Sequence, residues 1–270
     1  MALLLLRGTP LAQVDVVLFD KDGTLSCSEP MLFGLAQARL RRCQELLDQR
    51  HPELARASHR LRVLLARAYG LNDGAIHPAG ATAVGSRLHN LISTATALAQ
   101  QGLGWPEALA IAEEVFEHTD HLHGRPGEEV RSTEALRPML ERLAAAGLRL
   151  AVISNDSEAG IRRFLARQAL THFFDAELWS ADHPPTKPSP DAALGLCRRL
   201  GTPPERCALI GDANSDLHMA RRAGLAAAIG YRAGWSRAPQ LDPSYPHLNH
   251  WDDLQVGVRL TSHTQPLHPG

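Results

Sequence analysis

The chain has 270 residues, 44% of them hydrophobic and 21% charged, the balance of an ordinary globular protein and not of a disordered one. At roughly 100–200 residues per domain, this length predicts one large domain or two modest ones, with enough chain to bury a core without staples. Basic and acidic residues nearly cancel (28 against 29, net charge −1), so charge gives no reason to expect a nucleic-acid or acidic-membrane partner.

In chain order, Ala2 to Leu6 is apolar but is stopped by Arg7, too short for a signal-peptide core or a membrane span. Cys27, Cys43, Cys197 and Cys207 include no CxxC pair, so neither a zinc knuckle nor a disulfide framework is expected, and a reduced cytoplasmic protein is the default reading. Val14–Phe19 is a compact, β-branched run and predicts a buried strand that ends at Asp20. From Pro30 to about His123 the apolar period turns helical. Leu32, Leu35, Leu40 and Leu47, then Leu54, Leu61, Leu65 and Ala68, then Leu88, Leu91, Ala95 and Leu98, then the stretch behind Pro106, predict four helices and no strand.

The pattern changes again from Glu134. A helix through Leu136, Leu140 and Leu143 stops at Gly147; Leu148–Ile153 reads as a strand, Glu158–Gln168 as a helix and Phe173–Trp179 as a weaker strand. Ser189 and Pro190 open a helix that Gly201 closes, Cys207–Ile210 is a strand, Ser215–Ala223 a helix and Leu225–Ile229 a last strand. Alternating strands and helices predict an α/β core with a parallel sheet covered on both faces, formed by residues 1–25 and 125–235. Residues 26–124 are then an inserted helical block, and 236–270 a C-terminal extension with one short helix near Trp251–Val256 and a frayed tail over Thr261–Gly270.

Open parallel sheets bind ligands at the carboxyl ends of their strands. The residues that follow the predicted strands are Asp20 and Asp22; Ser154, Asn155 and Asp156; Gly211, Asp212 and Asp216; and Lys187 lies in the loop after the weak strand. Carboxylates, a hydroxyl and one amine converging on one edge suit Mg²⁺ and a phosphate, and the chemistry they support is phosphoryl transfer through an aspartyl intermediate. Asp20 is the expected nucleophile and Asp22 the acid/base. Asp20, Asp212 and Asp216, with the main-chain carbonyl of Asp22, are the expected Mg²⁺ ligands; Ser154 and Lys187 would bind the phosphoryl oxygens. Thr24 and Asn155 are further candidate substrate contacts, though Asn155 serves equally well as a helix cap. Of the 28 basic residues only Lys21 and Lys187 are lysine, which marks Lys187 as a place where a point charge is wanted. Strand alternation points Lys21 away from Asp20 and Asp22 and gives it no catalytic role.

Four stretches, Asp20-Lys-Asp-Gly-Thr-Leu25, Val152-Ile-Ser154-Asn155, Lys187-Pro-Ser-Pro-Asp191 and Gly211-Asp212-Ala-Asn-Ser-Asp216, resemble the four ordered motifs of the haloacid dehalogenase superfamily. The resemblance covers about half the chain. It implies a Rossmann-like α/β core with an all-helical type-1 cap, as in the phosphoglycolate phosphatase-like branch, and a Mg²⁺-dependent phosphatase acting on a small phosphorylated metabolite. Lys21 and Cys27 depart from the pattern of that branch, where these positions are usually apolar and commonly acidic. A sugar phosphomutase would need the same Asp20 and Asp22, and a non-catalytic protein of the same fold is the reading from another class. A dehalogenase fits worst, because that branch lacks the second aspartate. His118, Asp120, His121 and His123 read as a solvated turn rather than a metal site, and Arg87 and His77 as surface residues flanking a Gly-rich loop.

Overall fold

The computed structural model describes residues 1–120 and 130–257; the expectations for His121, His123 and the 261–270 tail fall outside them. Val16–Phe19 is buried at every position because it lies inside the sheet. Among the described residues a five-stranded parallel sheet runs in the order His247–Leu248, Ala227–Tyr231, Cys207–Gly211, Val16–Phe19, Arg149–Val152. The side-chain period of two divides the central strand between two apolar cores. Val17 and Phe19 pack with Leu150, Val152, Ala208 and Ile210 beneath helices Leu136–Ala145 and Glu158–Arg167. Val16 and Leu18 pack with Ala151, Cys207 and Leu209 beneath helices Pro190–Arg199 and Asn214–Arg222.

Register places the chemistry. Phe19 stands opposite Val152 on one side and Ile210 on the other, and the ladder continues as the Asp20 N–H donates to Ile210 O and the Ile153 N–H to Phe19 O, both at 2.9 Å. The carboxyl ends of three strands are therefore level, with Asp20, Ser154 and Asp212 on one edge.

Helices Glu29–Arg50, Ser58–Tyr69, Ala81–Val84, Arg87–Ala99 and Trp105–Asp120 turn their apolar faces inward on a separate core that includes Leu47, Leu61, Leu65, Leu98 and Phe116. Within the stretch expected to lack strands, Pro30 to about His123, Leu71–Asn72 pairs with Ala75–Ile76; outside its two ends a second short pairing joins Ser26–Cys27 to Arg131–Ser132. The second joins the chain entering the helical block to the chain leaving it, and Thr133 reinforces it by donating Oγ1–H to Thr24 O (2.9 Å).

Three sequence expectations are corrected. The Phe173–Trp179 segment is no strand: it opens with a 3₁₀ turn at Thr171–Phe173, and Asp175 accepts the Glu177 N–H (3.0 Å), which interrupts a ladder; it touches the edge strand at two separate points, Asp175 N–H to Leu150 O (2.7 Å) and an isolated bridge of Trp179 to Ile153. The last predicted strand sits two residues later, at Ala227–Tyr231. The short helix near Trp251–Val256 is a three-residue 3₁₀ turn, Trp251–Asp253, followed by the strand Leu254–Gly257. That strand runs antiparallel to Ala2–Leu6, which pairs in turn with Thr9–Val14. No helix of the described residues is long and apolar enough to cross a membrane.

Trp251 anchors this carboxy-terminal segment. It is fully buried, stacks on Tyr231 at 4.1 Å, meets Phe19 edge-on and donates Nε1–H to Thr133 Oγ1 (2.9 Å). Trp251→Ala is expected to cost about 3–5 kcal/mol of folding free energy, read from the urea-unfolding midpoint.

Candidate active site

The chain turns at once after Phe19. The Ser26 N–H donates to Lys21 O and the Gly23 N–H to Ser26 O, both at 2.9 Å, closing a tight loop. Gly23 has φ +78°, and a Cβ there would lie 2.1 Å from Trp235 Nε1 and 2.4 Å from Asp212 Oδ2, so backbone angle and space both demand glycine. Asp212 follows the strand Cys207–Gly211, and Asp216 lies in the first turn of the helix behind it.

Asp20, Asp212 and Asp216 come together at this point. One carboxylate oxygen of each lies within 4.8 Å of the other two, and all three side chains are buried. The Lys187 ammonium fits between them, donating to Asp20 Oδ1 (2.6 Å) and Asp216 Oδ1 (2.8 Å). Three carboxylates against one ammonium leave negative charge in surplus, and the proton affinities register it. Burial pushes the Asp20 carboxyl up to about 6 against the pull of Lys187, with Asp216 and Asp22 adding to the rise. Burial, then the charges of Asp20 and Asp216, hold Asp212 well above the usual carboxylate range. Burial opposes the charge on Lys187, but Asp20 and Asp216 outweigh it and raise its pKa. A hard divalent cation with oxygen ligands would relieve this surplus, so the residues present fit such an ion. Two donors already orient Asp212: Trp235 Nε1–H to Oδ2 (2.5 Å) and Thr24 Oγ1–H to Oδ1 (3.5 Å).

The Asp22 carboxylate faces elsewhere and stays out of that cluster. It accepts from Lys21 Nζ (2.5 Å), from Ser26 Oγ (3.4 Å) and from Ser28 Oγ. Burial works to raise its pKa, but the Lys21 ammonium and the Ser28 hydroxyl prevail and hold it below the usual range. This corrects the expectation that Lys21 points away from Asp22. The strand ends at Phe19, so its alternation no longer governs position 21, and the buried Lys21 ammonium bridges Asp22 and Asp156 Oδ2 (3.1 Å).

Ser154 is buried at the cavity wall, its Oγ accepting the Asp156 N–H (3.2 Å). Asn155 is not the cap of the following helix. Ser157 caps it through the Gly160 N–H, while Asn155 donates Nδ2–H to Lys187 O (3.2 Å) and so steadies the lysine. The expected substrate contact through Thr24 is also corrected: its side chain is sealed from solvent, lies off the cavity lining and serves Asp212 instead.

These groups form the floor of a cavity of about 470 Å³ between the sheet edge and the helical block. Arg39, Thr82, Arg87, Asn90 and Asp120 line it from the block side. Asp120 is no solvated turn residue, because it accepts from Arg39 Nη2 (3.0 Å) and Arg87 Nε (2.6 Å). Arg87 lines the cavity while staying half-exposed, and His77 and His118 are exposed. Sequence reasoning missed Trp235, Ser28 and Arg39. Trp235 alone left a signal, since it lies just beyond the carboxyl end of a sheet strand.

Residues 14–224 match the family model described as haloacid dehalogenase-like hydrolase. A curated phosphoglycolate phosphatase of Aquifex aeolicus is 33% identical over 110 residues, 40% of this chain and 52% of that protein. One of Haemophilus influenzae is 28% identical over 137 residues, covering 49% and 61%. The chain thus spans about half the length of the curated relatives it matches. The crystal structure of a predicted phosphoglycolate phosphatase from Haemophilus somnus superposes with a TM-score of 0.61 at 19% identity, over 90% of this chain and 97% of that one, a likeness of fold.

Asp20 supplies a test of the charge surplus. Its carboxyl titrates near 6 in the folded chain and near 3.8 otherwise, so it stabilises the fold below about pH 4, and that contribution is lost as pH rises through 6. In metal-free protein, the unfolding free energy of the wild type minus that of Asp20→Asn should fall between about pH 4 and 7 and then level off, as read by urea titration at each pH.

Proposed function

This chain belongs to the haloacid dehalogenase-like hydrolase family, and we propose that within it the protein is a Mg²⁺-dependent phosphatase that hydrolyses a small phosphomonoester through an aspartyl-phosphate on Asp20. The observation that carries this reading is the meeting of Asp20, Asp212 and Asp216 with Lys187 at the floor of one cavity. Residues from three distant stretches have no structural need to crowd three carboxylates in a nearly dry site. The names of the curated relatives and the oxygen-only ligand set point the same way.

Asp20, Asp212 and Asp216, with the Asp22 carbonyl, would hold the ion, which would supply the positive charge that lets a carboxylate approach a phosphate dianion. Asp20 attacks phosphorus in line with the departing ester oxygen. Lys187, already on Asp20 Oδ1, and Ser154 at the wall bind the phosphoryl oxygens as charge shifts onto them. Asp22, in its protonated form, gives its proton to the leaving alcohol. It then takes a proton from the water that attacks the aspartyl-phosphate, which regenerates Asp20 and releases inorganic phosphate. The contacts with Lys21 and Ser28 hold Asp22 ionised, so this role requires its carboxyl to leave them, take up a proton and turn toward the substrate. The helical block roofs the cavity and limits entry of bulk water to the intermediate.

Asp20→Asn should lower phosphate release from p-nitrophenyl phosphate by about 10³-fold or more, and Asp22→Asn by roughly 10²–10⁴-fold, while chelator stops the wild type. Retained turnover in Asp20→Asn removes the nucleophile assignment. Trp235→Phe, which deletes the donor to Asp212 and keeps the bulk, should weaken Mg²⁺ binding by roughly 10-fold or more in calorimetric titration.

A further inference from the structure

The cavity extends past the carboxylates along a helix of the α/β core. Gly160, Arg163, Phe164 and Arg167 of helix Glu158–Arg167 all line it, and their three- and four-residue spacing puts them on one helix face. Gly160 marks the end of this arm nearest the floor: a Cβ there would lie 2.5 Å from both carboxylate oxygens of Asp156, which in turn accepts from the Lys21 ammonium (3.1 Å). Arg163 and Arg167 follow about 4.5 and 10.5 Å farther along the helix axis. Ile161, Phe164 and Leu165 seat the helix on the sheet, while the two arginines stay exposed.

Charge sets this pair apart. The other basic side chains of the described lining have acidic partners: Lys187 has Asp20 and Asp216, Lys21 has Asp22 and Asp156, and Arg39 and Arg87 share Asp120. Arg163 and Arg167 meet no carboxylate and no hydrogen-bond acceptor among the described residues. Arg162, next in sequence but off the cavity lining, is paired with Glu158 at 2.7 Å. Like charges four residues apart disfavour a helix, and the pull of a helix C-terminus on a cation accounts for Arg167 but not for Arg163 at mid-helix. Two open guanidinium forks one turn apart suit a phosphate dianion, which takes parallel N–H donors from each. The floor already has its own groups for one phosphate. A second at the arginines has to stand well away from it, farther than the carboxylate of a two-carbon phosphoester extends.

We propose that Arg163 and Arg167 form a second anion site, on the α/β core, that binds a distal phosphate of the substrate, so that the protein prefers elongated bisphosphorylated compounds to monophosphates. This rests on the phosphatase reading above and deepens it. The reacting phosphate lies on Asp20, Ser154 and Lys187, the body of the molecule follows the arm past Gly160 and Phe164, and the distal phosphate fills the two guanidinium forks.

The test compares hexane-1,6-diol bisphosphate with hexyl phosphate, whose reacting ends are alike, by steady-state phosphate release from the full chain with Mg²⁺. In the wild type, kcat/KM for the bisphosphate should exceed that for hexyl phosphate at least about tenfold, beyond the factor of about two that two equivalent ends supply. Arg163→Gln with Arg167→Gln should bring the ratio to about two by raising KM for the bisphosphate, with its kcat and the turnover of hexyl phosphate unchanged. The double lysine variant should recover part of the preference. Arg162→Gln, which removes a positive charge outside the cavity, should leave the ratio at its wild-type value. A wild-type ratio near two overturns the site while hydrolysis stands, as does a wild-type ratio in the double glutamine variant. A fall in Arg162→Gln as large as that in Arg163→Gln alone overturns it too, because the surface charge as a whole would then set the preference. Hydrolysis of p-nitrophenyl phosphate but of neither hexyl ester overturns the site alone; failure on all three overturns the phosphatase reading, and this proposal with it.

Discussion

Repulsion among three buried carboxylates is the constraint that the rest of this structure answers. Asp20, Asp212 and Asp216 are brought within 4.8 Å of one another where little water can screen them. Left to themselves they would separate or take up protons, and the raised proton affinities of Asp20 and Asp212 show how far that tendency goes. What holds them is the central sheet. Two of the three follow adjacent parallel strands whose register is set by fully apolar residues, and the third is fixed by the helix packed beneath. Lys187, Thr24 and Trp235 then supply donors that make each carboxylate's orientation the best available one.

The α/β core was legible for a related reason. Strands covered on both faces, such as Val16–Phe19 and Cys207–Gly211, read as unbroken apolar runs, and the helices carry local punctuation at Gly147 and at Ser189-Pro190. The small antiparallel sheet was not legible. Thr9–Val14 carries Pro10 and half-buried positions, and Ala2–Leu6 finds its other partner at Leu254–Gly257, nearly the whole chain away. Four residues are also too few for a period of two to be told from a helical turn, which is why Trp251–Val256 read as helix.

The same division runs through the site. Asp20, Ser154, Lys187, Asp212 and Asp216 follow from one topological rule, that ligand-binding residues sit at strand ends, and the structure brings them together. Lys21 escapes strand alternation because the strand ends at Phe19 and position 21 already lies in the turn. Arg39, Thr82 and Asn90 come from three helices at no fixed spacing, so only the folded block puts them on one wall. Trp235 reaches Asp212 from the loop after Tyr231, and its place beyond a strand end is the one sign of it in the sequence.

Trp235 has an effect on what evolution can rearrange. Its indole is seated in the apolar core of the helical block while its N–H holds Asp212 in the sheet core, and the next residue, Ser236, is tied through its N–H and Oγ to Glu29 at the head of the block's first helix. An inserted module is normally free to be traded between relatives, because only its two connections must match. Here a graft would also have to provide a matching socket for the indole and a carboxylate at position 29. The helical block and the Asp212 carboxylate are therefore coupled through one indole, so a change in either has to be matched by the other.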